Sequence, residues 1–254
     1  MSSTQIAPEI TPDLAGWHYH AALNSLHQTL RPKTYFEIGT LHGDTLALAR
    51  CRSLAVDPEF RFEKPELIGR IMNKPALTFI QLPSDDFFAH NDPEDILGAK
   101  IDFAFLDGMH RCEFLLRDFI STERHCKRNS VIALHDCLPV EPIIAERVPS
   151  PAPCLMPHRQ GWWTGDVWRT ALLLKRFRPD LSITALDAGP TGLLLVTNLD
   201  PASTALRDDY QNYVRTMLGW SLDEIGITAL FDELDVQSTE SVMTHERLTS
   251  LFWL

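Results

Sequence analysis

The 254-residue sequence predicts one α/β domain built on a doubly wound, mostly parallel sheet of seven strands that ends in an antiparallel hairpin and carries helical extensions. Two observations predict it. Short, continuously apolar runs alternate with longer amphipathic ones, the pattern of parallel strands covered on both faces. Two further apolar runs, Leu181–Asp187 and Leu193–Asn198, are joined only by Ala188-Gly189-Pro190-Thr191-Gly192, a tight connection that suits antiparallel pairing.

The elements follow in order. A helix is expected over Asp13–Leu30, where Tyr19, Leu23, Leu26 and Leu30 share one face and Arg31-Pro32 closes it. The five earlier strands are expected at Thr34–Ile38, Ser53–Val56, Leu77–Leu82, Ile101–Leu106 and Ser130–Leu134. The clearest helix between them is Arg111–His125, with Cys112, Leu115, Leu116 and Phe119 along one face. Pro139, Pro142, Pro149, Pro151, Pro153 and Pro157 then fall within 19 residues, too many for regular structure, and 138–164 is expected to be a lid loop. A helix resumes over Asp166–Arg178, and the last fifty residues read as helical, with Leu206, Tyr210, Tyr213 and Met217 on one face. The organisation is one domain over 1–254: a tail and helix to 33, a core over 34–199, and a C-terminal helical extension over 200–254.

Composition excludes several classes. With 23 Lys+Arg against 34 Asp+Glu the formal charge is −11, so a nucleic-acid partner is not expected. No apolar run approaches the roughly 18 residues of a membrane span. The polar start lacks the basic, then apolar, pattern of a signal peptide. Five cysteines, none spaced C-x-x-C, read as reduced thiols and a cytoplasmic setting. The apolar end, Leu248, Leu251, Phe252, Trp253 and Leu254, suits packing on the chain's own core or in a homo-oligomer.

Ligands of an open parallel sheet bind beyond the carboxyl ends of its strands. The ends of all five earlier strands carry polar groups: Glu37 to Thr45, Asp57-Pro58-Glu59, Pro83-Ser84-Asp85-Asp86, Asp107-Gly108-Met109-His110 and His135-Asp136-Cys137. Gly39 and Gly43 let the backbone pass close to a ligand, and Asp57 stands where an acid accepts from a ribose diol. A dinucleotide fingerprint needs G-x-G-x-x-G, whereas this turn reads Glu-x-Gly-x-x-x-Gly. Its acid suits an ammonium group better than a pyrophosphate.

Glu37-Ile38-Gly39-Thr40-Leu41-His42-Gly43-Asp44-Thr45 resembles the first motif of class I S-adenosylmethionine-dependent methyltransferases, especially O-methyltransferases similar to catechol O-methyltransferase. Asp107-Gly108-Met109-His110 resembles the D-G-x-H signature of a branch with macrolide-sugar and cephalosporin-type methyltransferases. The resemblance covers roughly 34 to 199 and implies a Rossmann-like sheet. It implies that Glu37, Gly39, Thr40 and Gly43 shape the pocket for the cofactor's methionyl part, with Thr45 near its carboxylate. Asp57 would bind the ribose, Ser84 and Asp85 the adenine, and Asp107 would face the methyl-donor centre. His110 would be the general base that deprotonates the hydroxyl of a small-molecule acceptor. Some relatives hold a divalent metal such as magnesium at the positions of Asp107 and Asp136, with a further carboxylate where this chain has His135.

Other readings compete. His135 reads equally as an inert histidine. Cys137 has no evident base partner and reads as structural. Trp162, Trp163 and Trp168 suit either a binding wall or core. Tyr19 and Tyr210 read as packing. A nicotinamide-dependent oxidoreductase, a non-catalytic cofactor-binding module and a metal-dependent hydrolase using His110, His135 and Asp136 are the alternative functions.

Overall fold

The computed structural model describes residues 13–254; the loose tail expected before them lies outside the described residues. Seven strands form one sheet: β1 Thr34–Ile38, β2 Arg52–Val56, β3 Leu77–Ile80, β4 Ile101–Leu106, β5 Cys126–His135, β6 Ser182–Leu186 and β7 Leu193–Thr197. Their order is β3-β2-β1-β4-β5-β7-β6. The first five pair in parallel, and β7 runs antiparallel to both β5 and β6. The sheet is the doubly wound one the apolar runs predict.

All five residues of β1 are buried, so its alternate side chains serve opposite faces. Phe36 and Ile38 join a core shared with the helices Cys112–Glu123 and Trp168–Phe177. Tyr35 lies in the opposite core with Leu23 and Leu26 of the N-terminal helix, α1 Tyr19–Leu30. The strand order reverses between β1 and β4, which opens a crevice at their carboxyl ends.

Three expectations are corrected. First, α1 starts at Tyr19 rather than Asp13, because the preceding chain docks as extended backbone. Gly16 N–H donates to Asp187 O at 3.2 Å, Tyr19 N–H to Gly189 O at 2.9 Å and Trp17 N–H to Thr239 Oγ1 at 2.7 Å. Second, the alternation of strands with longer amphipathic segments fails between β1 and β2, which no full helix joins. Only a 3₁₀ turn, Leu46–Leu48, fits before β2. Third, the C-terminal region is helical but broken into short pieces, the longest being Tyr210–Leu218 and Ile227–Leu234. Its end packs mainly on the chain itself: Leu248 and Phe252 are buried beside Leu23 and Leu26, while Trp253 and Leu254 are exposed. No helix among the described residues is long and apolar enough to cross a membrane.

A buried ion pair fastens the helix Cys112–Glu123 to the end of the helix Trp168–Phe177. Arg178 is 2% exposed and donates through Nη1 and Nη2 to Glu123 at 2.8 Å each, while Glu123 also accepts from Asp200 N–H at 3.1 Å. Truncating one member strands the other charge, which costs about 3–5 kcal/mol. Arg178→Ala is therefore expected to lower the urea midpoint sharply; an unchanged midpoint contradicts this role.

Candidate active site

The polar ends of β1 to β4 meet around one cavity of about 680 Å³, a volume suited to a small-molecule ligand, whereas His135, Asp136 and Cys137 at the end of β5 do not line it. Gly39, Thr40, Thr45, Asp57, Ser84, Asp85, Asp107 and His110 all line it; Glu37 and Gly43 do not. Gly39 sits at φ 88°, and a Cβ there would lie 1.9 Å from Asp107 O, so β1 and β4 can end this close only with glycine. Gly43, at φ 79°, faces away from the cavity, where a Cβ would meet Ile71 and Phe62.

Glu37 is fully buried beneath the first loop. Its carboxylate accepts from the Tyr35 hydroxyl and from Thr45 Oγ1, the latter at 3.1 Å. Burial pushes its pKa up to about 7, with these donors partly offsetting the rise. It orders the loop from below rather than meeting a ligand. Asp57 does the same from the cavity side: Oδ2 accepts from Leu41 N–H at 2.9 Å and Oδ1 from Glu59 N–H at 2.7 Å. Each oxygen keeps a further acceptor site. Asp85 is held by Arg117 in a bidentate pair, at 2.8 and 2.6 Å. Below Ser84 lies Asp118, which follows the Asp107-Gly108-Met109-His110 segment in the sequence. Burial raises its pKa to about 7, opposed by a hydrogen bond from Ser84.

At the ends of β4 and β5 two carboxylates and two imidazoles alternate. His110 Nε2 lies 3.5 Å from Asp107 Oδ1 and 3.3 Å from Asp136 Oδ2. His135 Nδ1 lies 3.3 Å from Asp107 Oδ1 and 3.4 Å from Asp136 Oδ1, within ion-pair range but outside hydrogen-bond geometry. Burial opposes the charge on His110, but Asp107 and Asp136 outweigh it and hold the imidazole at about 9. For His135 burial is again outweighed, by Asp136 and then Asp107, to about 10. Burial would raise Asp107, yet His135 and His110 pull it well below the usual carboxylate range.

Surrounding chain fixes this quartet. His110 Nδ1 donates to Trp163 O at 2.9 Å, and the two rings stack with centroids 4.9 Å apart. The Thr191 hydroxyl, from the β6–β7 connection, donates to Asp136 Oδ1. Asp136 itself holds φ 60°, a left-handed conformation uncommon outside glycine and concentrated at functional sites. Tyr19 lies over His135 with ring centroids 4.0 Å apart and lines the cavity.

Sequence reading missed Tyr19, whose helical spacing hid its position at the helix start, and did not resolve His135. The three tryptophans separate: Trp163 lines the cavity, Trp168 is core, and Trp162 packs edge-on to His158. Cys137 is fully buried, and burial pushes its thiol pKa far up, as a structural thiol requires.

Residues 36–137, from β1 to just past β5, match the family model described as a methyltransferase domain. This part of the chain is similar to a methyltransferase domain. Among solved structures, the O-methyltransferase TomG of Streptomyces achromogenes, involved in tomaymycin synthesis and solved with SAM, is 16% identical with a TM-score of 0.50, covering 70% of this chain and 78% of that one. The O-methyltransferase of Bacillus cereus, solved with SAH, is also 16% identical, with a TM-score of 0.47 over 75% of this chain and 83% of that one. What TomG shares with this chain, at that identity, is the fold. No curated protein matches the chain.

The proline-rich segment after the domain's last matched residue is fastened at several points. Arg147 donates to Asp166 Oδ2 at 2.6 Å and Glu113 Oε1 at 2.7 Å. Arg159 is buried and pairs with Asp13 and Glu141, and Thr164 N–H donates to Ile144 O at 2.8 Å. Arg147→Ala removes charged hydrogen bonds of about 1.5–3 kcal/mol each. Amide exchange across 142–164 is expected to quicken at least roughly tenfold while β1 and β4 keep their protection; unchanged exchange in the segment contradicts the clasp.

Proposed function

We propose that this methyltransferase uses S-adenosylmethionine to methylate a hydroxyl of a small acceptor, with His110 as general base. The observation that carries this reading is the order of polar groups across the strand ends. Ser84 follows β3, Asp57 follows β2, the Gly39–Thr45 loop follows β1, and Asp107 and His110 follow β4, all on one cavity. That order matches a ligand with a nucleoside at one end and an amino acid at the other. SAM in TomG and SAH in the Bacillus cereus enzyme are consistent with it.

When bound, the cofactor supplies an electrophilic methyl group on a cationic sulfonium. The residues of this chain bind and orient. Asp57 offers its free acceptor sites to a ribose diol. Ser84 and Asp85 stand where an adenine amine needs an acceptor. Asp107 places a carboxylate beside the cationic centre. Met109, Phe114 and Trp163 supply apolar wall that excludes water from the acceptor end.

His110 moves the proton at Nε2. A backbone carbonyl only accepts, so the bond to Trp163 O fixes the hydrogen on Nδ1 and leaves Nε2 as the basic atom of the neutral ring. The two carboxylates stabilise the charge that forms there.

Asp107, His110 and Asp136 offer donor atoms within 4.8 Å of one another. Magnesium prefers oxygen donors, and here both carboxylates already face imidazoles, with His135 nitrogen in place of a third carboxylate. The set does not fit a hard cation, and the proton transfer above involves only side chains.

Two measurements test the reading. His110→Ala is expected to cut kcat by about 10²–10⁴-fold with cofactor affinity nearly unchanged. Since the base works when neutral and is held at about 9 in the free enzyme, wild-type kcat/KM is expected to rise with pH toward that value, a limb absent from the variant. Near-normal turnover by His110→Ala contradicts the assignment and makes His135 the next candidate. Asp57→Ala is expected to weaken calorimetric binding of SAM by about 1.5–3 kcal/mol; unchanged affinity in a folded variant removes the ribose role.

A further inference from the structure

His110 can take a proton at Nε2 only if its neutral ring carries the hydrogen on Nδ1, and its neighbours divide over that choice. Nε2 faces Asp107 Oδ1 at 3.5 Å and Asp136 Oδ2 at 3.3 Å. Both carboxylates accept only, so both favour a hydrogen on Nε2, the form that cannot act as base there. Opposing them is one acceptor, the carbonyl of Trp163, 2.9 Å from Nδ1. The working form of the base depends on how firmly that carbonyl is held.

The Trp163 carbonyl and the Thr164 N–H belong to one peptide unit, and in a planar trans peptide they point in opposite directions. The N–H donates to Ile144 O at 2.8 Å, so the unit is pinned on both sides. The Trp163 side chain adds a third tie: its Nε1–H donates to Glu146 O at 2.7 Å. Both carbonyls that hold Trp163-Thr164 thus come from one short segment, and the next residue along it is Arg147. Its Nη1 donates to Asp166 Oδ2 at 2.6 Å and its Nη2 to Glu113 Oε1 at 2.7 Å. Asp166 returns to the base, since its N–H donates to His110 O at 3.3 Å. A closed circuit runs from His110 through Trp163, Glu146, Arg147 and Asp166 back to His110.

We propose that Arg147 and the Trp163 indole are positioning groups for the reaction: they fasten 144–147 so that the Trp163 carbonyl stays on Nδ1 and Nε2 stays free to take the acceptor's proton, an assignment that rests on His110 being the base. Arg147 does not line the cavity, so it acts through this circuit rather than on a ligand. Loosening any tie lets the neutral ring move its hydrogen to Nε2, where the two carboxylates receive it. The base is complete only while the proline-rich segment is fastened.

Nitrogen-15 spectra of the intact, histidine-labelled protein test this without an acceptor. They are recorded on the alkaline side of the His110 titration, and the His110 signals are identified by their loss in His110→Ala. The wild type is expected to hold the hydrogen on Nδ1. Arg147→Gln is expected to shift the ratio of the two tautomers toward Nε2–H by about 3–10-fold, the size of one neutral hydrogen bond, and Arg147→Lys, which keeps a charged donor, to restore part of it. If Arg147→Gln fails to fold by circular dichroism, Trp163→Phe, which keeps a ring to stack and loses the indole N–H, carries the comparison through a shift in the same direction. A wild-type ring with its hydrogen on Nε2 overturns the inference, as does a ratio unchanged in both variants. The expected shift combined with near-normal turnover by His110→Ala supports the circuit and overturns the base reading beneath it.

Discussion

Two carboxylates and two imidazoles alternate at the ends of β4 and β5, and much of the surrounding chain is arranged around that quartet. With both rings protonated its charges cancel, which offsets the cost of taking four ionisable groups out of water. The pairing reaches well beyond two strands. The quartet takes a hydrogen bond from Thr191 in the hairpin, gives one to the backbone of Trp163, and lies under the ring of Tyr19. Even Gly165 is fixed by it, because a Cβ there would lie 1.7 Å from His110 O. Two of these segments, those of Trp163 and Tyr19, thereby become walls of one cavity.

The other half of the cavity depends on a steric constraint. Gly39 approaches the Asp107 carbonyl so closely that the first loop folds over the crevice between β1 and β4. Glu37 holds that loop from beneath and Asp57 holds it from the side. Asp57 combines two tasks, since its oxygens organise the backbone amides and still face the ligand space. Glu37 has only the structural one. An acid in the first motif need not be a ligand contact, and its full burial distinguishes the roles here.

How much of this the sequence made legible follows from range. β1 and β4 fall on the expected residues because continuous apolar runs are a local signal. β5 extends further toward the N-terminus than expected, since Lys127 and Arg128 break the apolar run while their backbone continues the strand. The cavity residues at the ends of β1 to β4 were legible because topology places strand ends together. Tyr19, His20, Trp163 and Thr191 were not, because each reaches the site through contacts between distant segments. The polar face of Glu37 was legible as an acid at a turn, but its burial depends on Tyr35 and on the helix packed beneath it. The helix start at Tyr19 was missed because the bonds that replace the first helical turn belong to Asp187, Gly189 and Thr239.

The account stands on the cavity being a place for an adenosyl amino acid rather than for another nucleotide. Its first loop reads Glu-x-Gly-x-x-x-Gly rather than the G-x-G-x-x-G that a pyrophosphate needs, and no lysine or arginine among the described residues lines the cavity. Parallel calorimetric titrations of the intact protein with S-adenosylhomocysteine and with NADPH test that most directly. The account predicts one-to-one saturable binding of S-adenosylhomocysteine and no heat of binding from NADPH, and the reverse pattern would contradict it.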